Sequence, residues 1–119
     1  MAKQNNLIQD KSFNFALMII EIYQDLTAKK EFVLSKQLLR SGTSIGANVE
    51  EALAGQTRKD FISKMAIASK EAREAYYWLK LLKASKLVKL DYDKLLNEIN
   101  EIINILTAIV KTSQSKLNS

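Results

Sequence analysis

Two pairs of glutamates stand three residues apart, the spacing at which helices present two carboxylates to a metal ion. They are Glu71 with Glu74 and Glu98 with Glu101. In helical bundles such sites also take histidine ligands from Glu-x-x-His motifs, and this chain contains no histidine and no cysteine. The same lack excludes Ser-His-Asp and Cys-His relays and structural zinc sites. The sequence therefore predicts no metal, no cofactor and no enzymatic activity.

Basic side chains are concentrated in one stretch of the chain. Residues 58–89 contain nine lysines and arginines against three acids, in a protein whose net charge is +5. On a helix that rises 1.5 Å per residue, five of these basic residues form a strip about 35 Å long. They are the candidate nucleic-acid contacts Lys59, Lys70, Arg73, Lys80 and Lys83. Such a strip attracts phosphates whatever the base sequence. The alternative is a solvated face that keeps the protein soluble, partly neutralised by Asp91 and Asp93.

Small and polar residues surround two glycines, Gly42 and Gly46. Residues 41–47 include two Gly, two Ser and one Thr, which disfavour a helix by several tenths to about 1 kcal/mol each relative to Ala. Glycines one turn apart would let a second helix approach closely. A polar stripe follows the same segment: Arg40, Ser44, Asn48 and Glu51. This stripe is either a recognition face or a buried network in which Arg40 and Asn48 meet carboxylates.

The elements that position these residues are helices, because apolar residues recur at three- and four-residue steps and proline is absent. The pattern places helices at about 12–29, 35–54, 58–85 and 92–112, with N-caps at Ser12, Ser35, Thr57 and Asp91 and a stop at Gly55. Short connections favour antiparallel neighbours. We therefore expect a single all-α domain over residues 1–119, an antiparallel up-and-down four-helix bundle.

The third helix carries apolar residues on more than one face. Beside its core face, a second group points away: Ile67, Tyr77, Trp78 and Leu81. Either this helix is central within the bundle or the second group meets another subunit, where aromatic residues are enriched; we predict self-association through it. The longest apolar stretch, 15–20, ends at Glu21 and is too short to cross a membrane. With no signal-peptide segment, we expect a soluble cytoplasmic protein.

Three segments carry a family resemblance: LRSGTSIGANVEEA at 39–52, KDFI at 59–62 and ASKEAREAYYWL at 68–79. Together they resemble the four-helix bundle protein family associated with intervening sequences in bacterial 23S rRNA genes. The likeness rests on the Arg-x-x-x-Ser-Ile-x-x-Asn core, on the Phe of the third helix and on the Glu that follows. Many members have Ile-Ala-Glu-Gly after the Asn, whereas this chain has VEEA at 49–52, which resembles a second branch.

The resemblance implies a four-helix protomer in a ring-like homopentamer, with a family-typical polar set of Arg40, Asn48, Glu51 and Glu74. A related group, the accessory proteins of diversity-generating retroelements, forms a basic pentameric barrel that binds nucleic acid and a reverse transcriptase. We therefore predict an oligomeric, non-enzymatic module that binds RNA or DNA through its basic surface, with a protein such as a reverse transcriptase as a further partner. The alternative is a structural or protein-interaction scaffold that binds no nucleic acid.

Overall fold

Four antiparallel helices form an up-and-down bundle, as the sequence predicts. The computed structural model describes residues 2–118, which form α1 (Ala2–Ala28), α2 (Leu34–Leu53), α3 (Arg58–Ser85) and α4 (Asp93–Asn118). Within these residues each helix packs on its two neighbours in the order α1–α2–α3–α4–α1, while no Cα atoms of the diagonal pairs α1–α3 and α2–α4 lie within 8 Å of each other. The bundle measures 50 × 21 × 21 Å. Consequently every helix has one outward face.

Each helix turns one apolar stripe to the shared core. On α3 the stripe contains alanines at 68, 72 and 75, all fully buried, so α3 lies close to its neighbours. Larger side chains fill the remaining space, and each contributes about 1.5–3 kcal/mol on burial. They include Phe15, Ile19, Leu26, Ile45, Met65, Leu79, Ile99, Ile102 and Leu106.

The two glycines of α2 face α1, where the helices pack closely. A Cβ on Gly42 would lie 2.7 Å from Cγ1 of Ile19, closer than real side-chain contacts, so this position requires glycine. At Gly46 the nearest atoms, from Ser12, are 3.5 Å away and leave room for a methyl group. The prediction that this segment admits a close neighbour is therefore confirmed, and Gly42 is the residue that carries it.

One predicted helix start and one predicted N-cap are wrong. Helix α1 begins at Ala2 rather than residue 12, because Ile8 is fully buried and extends the core stripe by a turn. Ser12 therefore lies inside the helix, where its hydroxyl donates to the Gln9 carbonyl. Helix α2 begins at Leu34, and Ser35 lies in its first turn rather than at its cap.

Glu31 does the capping that was assigned to Ser35. Its buried carboxylate accepts hydrogen bonds from the backbone N–H groups of Ser35 (2.6 Å), Val33 (3.1 Å) and Leu34 (3.2 Å). Burial alone would raise the pKa of Glu31, but these three donors outweigh it and leave the pKa below its usual value. One side chain thus satisfies three amides that have no partner within α2.

The other helix ends follow the sequence more closely. The Thr57 hydroxyl accepts from the Asp60 N–H (3.0 Å) at the start of α3, and Asp91 accepts from the Asp93 N–H (3.0 Å) at the start of α4. Helix α4 continues past the predicted residue 112 to Asn118, because Ser113 is buried and prolongs the inward stripe. Within residues 2–118, no helix combines the length and apolar content needed to span a bilayer.

Candidate nucleic-acid interface

The basic strip on α3 divides between two surfaces. All five predicted contacts are exposed, but only Arg73, Lys80 and Lys83 lie on the flank that faces α4. Arg73 Nη2 donates to Thr107 Oγ1 (3.3 Å), and Lys83 Nζ contacts Asp93 Oδ1 (2.6 Å). In a helical projection Lys59 lies about 40° and Lys70 about 60° from Arg73, so Lys70 lies toward the outward face of the helix whereas Lys59 stays nearer the Arg73 side. Three of the five cations thus line depressions toward α4, and the nucleic-acid contacts of all five stay a prediction.

A shallow groove runs between α3 and α4. Toward the end of α3, a depression of about 500 Å³ is lined by Tyr76, Lys80, Lys83, Ala84, Leu96 and Asn100. Closer to the start of α3, a second depression is lined by Ala66, Ser69, Arg73, Thr107, Val110, Lys111 and Gln114. We call these two depressions together the α3–α4 groove.

The α4 wall of this groove is polar but nearly free of acids. Helix α4 has three acidic residues, and two of them, Glu98 and Glu101, lie on the opposite side, where they contact Lys11 of α1 at 3.2 and 2.7 Å. These contacts raise the pKa of Lys11, the hydrogen bond that Lys11 donates to Glu101 contributing most. The third, Asp93, pairs with Lys83 and raises the pKa of that lysine. The rest of the wall presents amides, a hydroxyl and one cation.

Most of the predicted cations, and the groove residue Lys111, have no acidic partner. Among residues 2–118, Lys59, Lys70, Arg73 and Lys80 form no ion pair, and neither does Lys111. Lys80 Nζ lies 5.2 Å from the centre of the Tyr76 ring, a cation–π distance. Neutralisation by the start of α4 is thus confined to Lys83. Lys111 was not predicted, although its spacing from Asn104 and Thr107 places it on the α3-facing side of α4.

The predicted polar network forms only in part. Arg40 of α2 contacts Glu71 (3.4 Å) and Glu74 (2.5 Å) of α3, and the indole N–H of Trp78 donates to the same Glu74 (3.1 Å). The Trp78 hydrogen bond lowers the pKa of Glu74; burial opposes it, and Arg40 adds to it. Glu74 in turn raises the pKa of Arg40. These contacts join α2 to α3.

The remaining members of that set bind elsewhere. Ser44 Oγ donates to the Arg40 carbonyl (2.6 Å), and Asn48 Nδ2 donates to the Ser44 carbonyl (2.9 Å). The expected contact of Asn48 with a carboxylate is wrong, because the carbonyl one turn earlier in its own helix is within reach. Glu51 forms a separate pair with Lys64 (3.1 Å).

The predicted self-association residues differ in exposure. Ile67 and Tyr77 are exposed, at 36% and 55%, whereas Trp78 and Leu81 are half-buried. Trp78 packs against the core edge and meets the Tyr77 ring edge-on at 5.1 Å. A second exposed apolar group lies on α1 and was not predicted: Phe13, Leu17 and Ile20.

The two pairs of glutamates spaced three residues apart are engaged by cations. Arg40 contacts Glu71 and Glu74, and Lys11 contacts the pair on α4. In the part of the chain that the structure describes, no group of three or more acidic, histidine or cysteine side chains is placed to hold a metal ion.

The family model described as "23S rRNA-intervening sequence protein" matches residues 4–108. A search of curated proteins returned no match. Among solved structures, the chain is similar to a protein with unknown function from the S23 ribosomal protein family of Bacteroides thetaiotaomicron VPI-5482. The two are 47% identical with a TM-score of 0.86, and the match covers 91% of this chain and 98% of that one.

Proposed function

The chain belongs to the 23S rRNA-intervening sequence protein family, and we propose that it is a non-enzymatic module that binds RNA or DNA through the α3–α4 groove. The observation that carries the proposal is the unmatched charge of this groove. Arg73, Lys80 and Lys111 line it without acidic partners, while the other α4-facing cation, Lys83, is held by Asp93.

The composition of the groove suits phosphate contacts. Lysine and arginine neutralise phosphates, and amide and hydroxyl side chains commonly add hydrogen bonds to the backbone oxygens. Asn100, Thr107 and Gln114 supply such groups from the α4 wall. The phosphate backbone of an extended nucleic-acid strand would therefore meet hydrogen-bond donors from both helices.

The aromatic residues favour backbone contacts over base stacking. Tyr76 lies at the groove but is half-buried, and the Lys80 ammonium is near its ring. Tyr77 is exposed but lies on the outward face of α3, beside Trp78. Because neither ring offers an open stacking surface inside the groove, we expect binding that depends little on base sequence.

Salt dependence of binding tests this function. Fluorescence anisotropy of a labelled single-stranded oligonucleotide would be followed across a salt titration. With three phosphate contacts at a slope of about 0.7 each, log K should fall against log salt with a slope of about −2 per bound protomer. The variant R73E/K80E/K111E should lose detectable binding.

A matched variant separates the groove from overall charge. K29E/K36E/K94E makes the same change in net charge at exposed lysines outside the groove, and it should retain at least half of the binding free energy. No binding by the wild-type protein at low salt would overturn the proposal. Equal losses in the two triple variants would also contradict it, because net charge alone would then explain the affinity.

The second candidate is a scaffold whose basic groove only confers solubility. The exposed apolar side chains on α1 and α3, which an isolated bundle leaves in contact with water, favour it. Purification after nuclease treatment distinguishes the two candidates. A scaffold would retain its protein partner, such as a reverse transcriptase, and would contain no nucleic acid, whereas the groove-binding module would release bound oligonucleotide.

A further inference from the structure

We propose that the end of the bundle formed by the α1–α2 and α3–α4 connections binds the surface of a membrane that contains anionic lipids. We call this end the loop tip and define it as residues 29–36 and 86–92. Such binding needs no membrane-spanning segment. The inference goes beyond nucleic-acid binding and does not depend on it, because the loop tip contributes no residue to the α3–α4 groove.

The two connections lie side by side at one end of the bundle. In an antiparallel bundle α1 and α3 end where α2 and α4 begin, so residues 29–33 and 86–92 share that end. Burial raises the pKa of Tyr92 in the second connection, and the nearby Glu31 carboxylate of the first raises it further. The Tyr92 hydroxyl donates to the Val88 carbonyl (2.8 Å), and both side chains are buried. The loop tip is therefore one surface with a packed base.

Three large apolar side chains of the loop tip are exposed. Phe32, Val33 and Leu87 have exposures of 61%, 71% and 62%, three of the four highest values among large apolar side chains in residues 2–118. A groove covers its lining on two sides, so exposures this high indicate a convex end. The connection at the opposite end, residues 54–57, is Ala-Gly-Gln-Thr and has no large apolar side chain. The apolar surface is thus a property of one end of the bundle.

Lysines accompany these apolar side chains. The loop tip contains five lysines and two acids, and all five lysines are exposed. None of the five forms an ion pair with any other residue in the range 2–118. They are Lys29, Lys30, Lys36, Lys86 and Lys89.

The two acids of the loop tip leave most of this charge unmatched. Glu31 is buried, and its carboxylate accepts from three amides at the start of α2. Asp91 is exposed, and its carboxylate accepts from the Asp93 N–H (3.0 Å). Asp93 itself contacts Lys83, which lies outside the loop tip. The loop tip therefore keeps a positive net charge beside its apolar side chains.

Apolar and basic groups on one convex surface match the chemistry of an anionic bilayer. Apolar side chains enter the boundary between headgroups and acyl chains, while lysine ammonium groups stay at the lipid phosphates. An acidic peptide or an oligonucleotide would pair with the lysines, but neither covers three apolar side chains spread over a convex end. Because the bundle measures 50 × 21 × 21 Å, contact at this end stands the protein upright on the membrane.

The backbone of the loop tip suits this environment. The Val33 N–H donates to the Glu31 carboxylate (3.1 Å), and the Leu87 N–H donates to the Ser85 hydroxyl (3.2 Å). An amide without a partner is costly where water is scarce. Two of the three exposed apolar residues therefore bring a satisfied N–H group to the lipid boundary.

Vesicle sedimentation tests the contribution of charge. The wild-type protein should sediment with phosphatidylcholine vesicles that contain about 30% phosphatidylserine, and it should stay in solution with phosphatidylcholine alone. K30Q/K86Q should bind roughly 25-fold more weakly, at about fivefold per lysine. K59Q/K70Q is the matched control, because it removes the same charge at exposed lysines outside the loop tip. It should bind within about twofold of the wild type.

The same assay tests the contribution of the apolar side chains. F32S/L87S should weaken binding to phosphatidylserine vesicles by about tenfold or more, because the two side chains no longer enter the lipid boundary. L7S/L117S is the matched control, since both leucines are exposed and lie toward the opposite end of the bundle. It should bind like the wild type, and all of these variants should keep the helical circular dichroism.

A fluorescent label tests the orientation of the protein independently of its affinity. The chain has no cysteine, so one introduced thiol can carry an environment-sensitive dye. On V33C or L87C the emission should shift to the blue when phosphatidylserine vesicles are added. On Q56C, in the opposite connection, it should not change.

Four outcomes would overturn the inference. They are no sedimentation with phosphatidylserine vesicles at low salt, equal losses in the two lysine variants, equal dye responses at the two ends of the bundle, and a dye response at the loop tip to polyglutamate but not to vesicles. The last would assign the loop tip to an acidic protein partner. Failure of the groove proposal is separate, because F32S/L87S removes no charge and should keep the oligonucleotide affinity of the wild type.

Discussion

Helix α3 carries charge on both flanks, and the two flanks differ in how that charge is matched. Toward α2, Arg40 meets Glu71 and Glu74, and Lys64 meets Glu51. Toward α4, Arg73 meets only a hydroxyl, and Lys80 lies near an aromatic ring. The same helix therefore uses one flank to hold a neighbouring helix, whereas on the other flank Lys83 is the one described cation that has an acidic partner.

The difference shows that the count of basic residues is a poor guide to a binding surface. A matched cation such as Arg40 has its field cancelled within a few ångströms, and an exposed pair of this kind contributes at most about 1 kcal/mol to stability. An unmatched cation contributes nothing to folding, but several of them in one groove produce a potential that concentrates polyanions. Adding acids opposite one flank, or removing them from the other, should therefore convert unpaired cations into paired ones and the reverse.

The largest expected effect comes from making the α4 flank resemble the α2 flank. Asn100→Glu with Thr107→Glu would place carboxylates beside Lys80 and Arg73. We expect oligonucleotide affinity at low salt to fall by roughly 10- to 100-fold, because internal ion pairs replace phosphate contacts. Fluorescence anisotropy measures the affinity, and thermal unfolding should show equal or slightly higher stability.

Gln37→Glu with Gln56→Glu is the control for that experiment. Both positions are exposed and lie outside the groove, and the net charge changes by the same amount. A loss of affinity as large as that of the groove variant would show that position is irrelevant and would remove the distinction between the flanks.

A change at the α1–α2 contact should alter stability without altering affinity. G42A forces a methyl group to 2.7 Å from the buried Ile19 side chain, and we expect a loss of about 1–3 kcal/mol in the free energy of unfolding. G46A has 3.5 Å of clearance and should gain up to about 1 kcal/mol from helix propensity. Urea denaturation measures both; similar losses in the two variants would contradict the packing argument.

Removing the shared acid of the α2 flank tests what that flank does. E74Q deletes the charge that pairs with Arg40 and weakens the acceptor of the Trp78 N–H, at an expected cost of about 0.5–1.5 kcal/mol. Oligonucleotide affinity should not change. E51Q, at a more exposed pair, should cost less, and a drop in affinity for E74Q would mean that the flanks are not independent.

The pH dependence of this loss has a defined sign. The pKa of Glu74 lies below its ordinary value of 4.5, so the charged form stabilises the folded state at all pH values above the unfolded-state pKa. The contribution is lost as the pH falls through the folded-state pKa. The difference in melting temperature between the wild type and E74Q should therefore be constant above about pH 5.5 and shrink below pH 4.5.

The sequence predicts the inward faces far better than the charge pairing. Within each helix, core residues such as Ile45, Leu79 and Ile102 belong to a series of apolar residues at three- and four-residue steps. This pattern is local, so it identified the bundle and its core correctly. Whether a cation is matched depends on residues far along the chain: Thr107 is 34 positions from Arg73. No periodicity encodes that distance, and the division of the basic strip required the packed helices.

One local error and one feature that the sequence did not predict have a similar origin. Ile20 continues the apolar pattern of α1, yet it lies on an outward stripe with the same period as the core stripe, and periodicity alone does not say which stripe faces inward. Ser35 has the composition of an N-cap, but the Glu31 carboxylate reaches the same amides first. The exposure of Ile20 and the role of Ser35 both depend on which neighbouring residues compete for the same contacts, rather than on residue type.

The smallest expected effect comes from freeing the one matched cation on the α4 flank. D93N removes the carboxylate that holds Lys83 at 2.6 Å and should raise oligonucleotide affinity by about two- to threefold, since one more lysine becomes available to phosphates. It also removes a favourable acid from the first turn of α4, so stability should fall by a few tenths of a kcal/mol. D25N makes the same change in charge on α1 and should raise affinity less. If D93N raises affinity and lowers stability while D25N does not, then Asp93 determines whether Lys83 contributes to folding or to ligand binding.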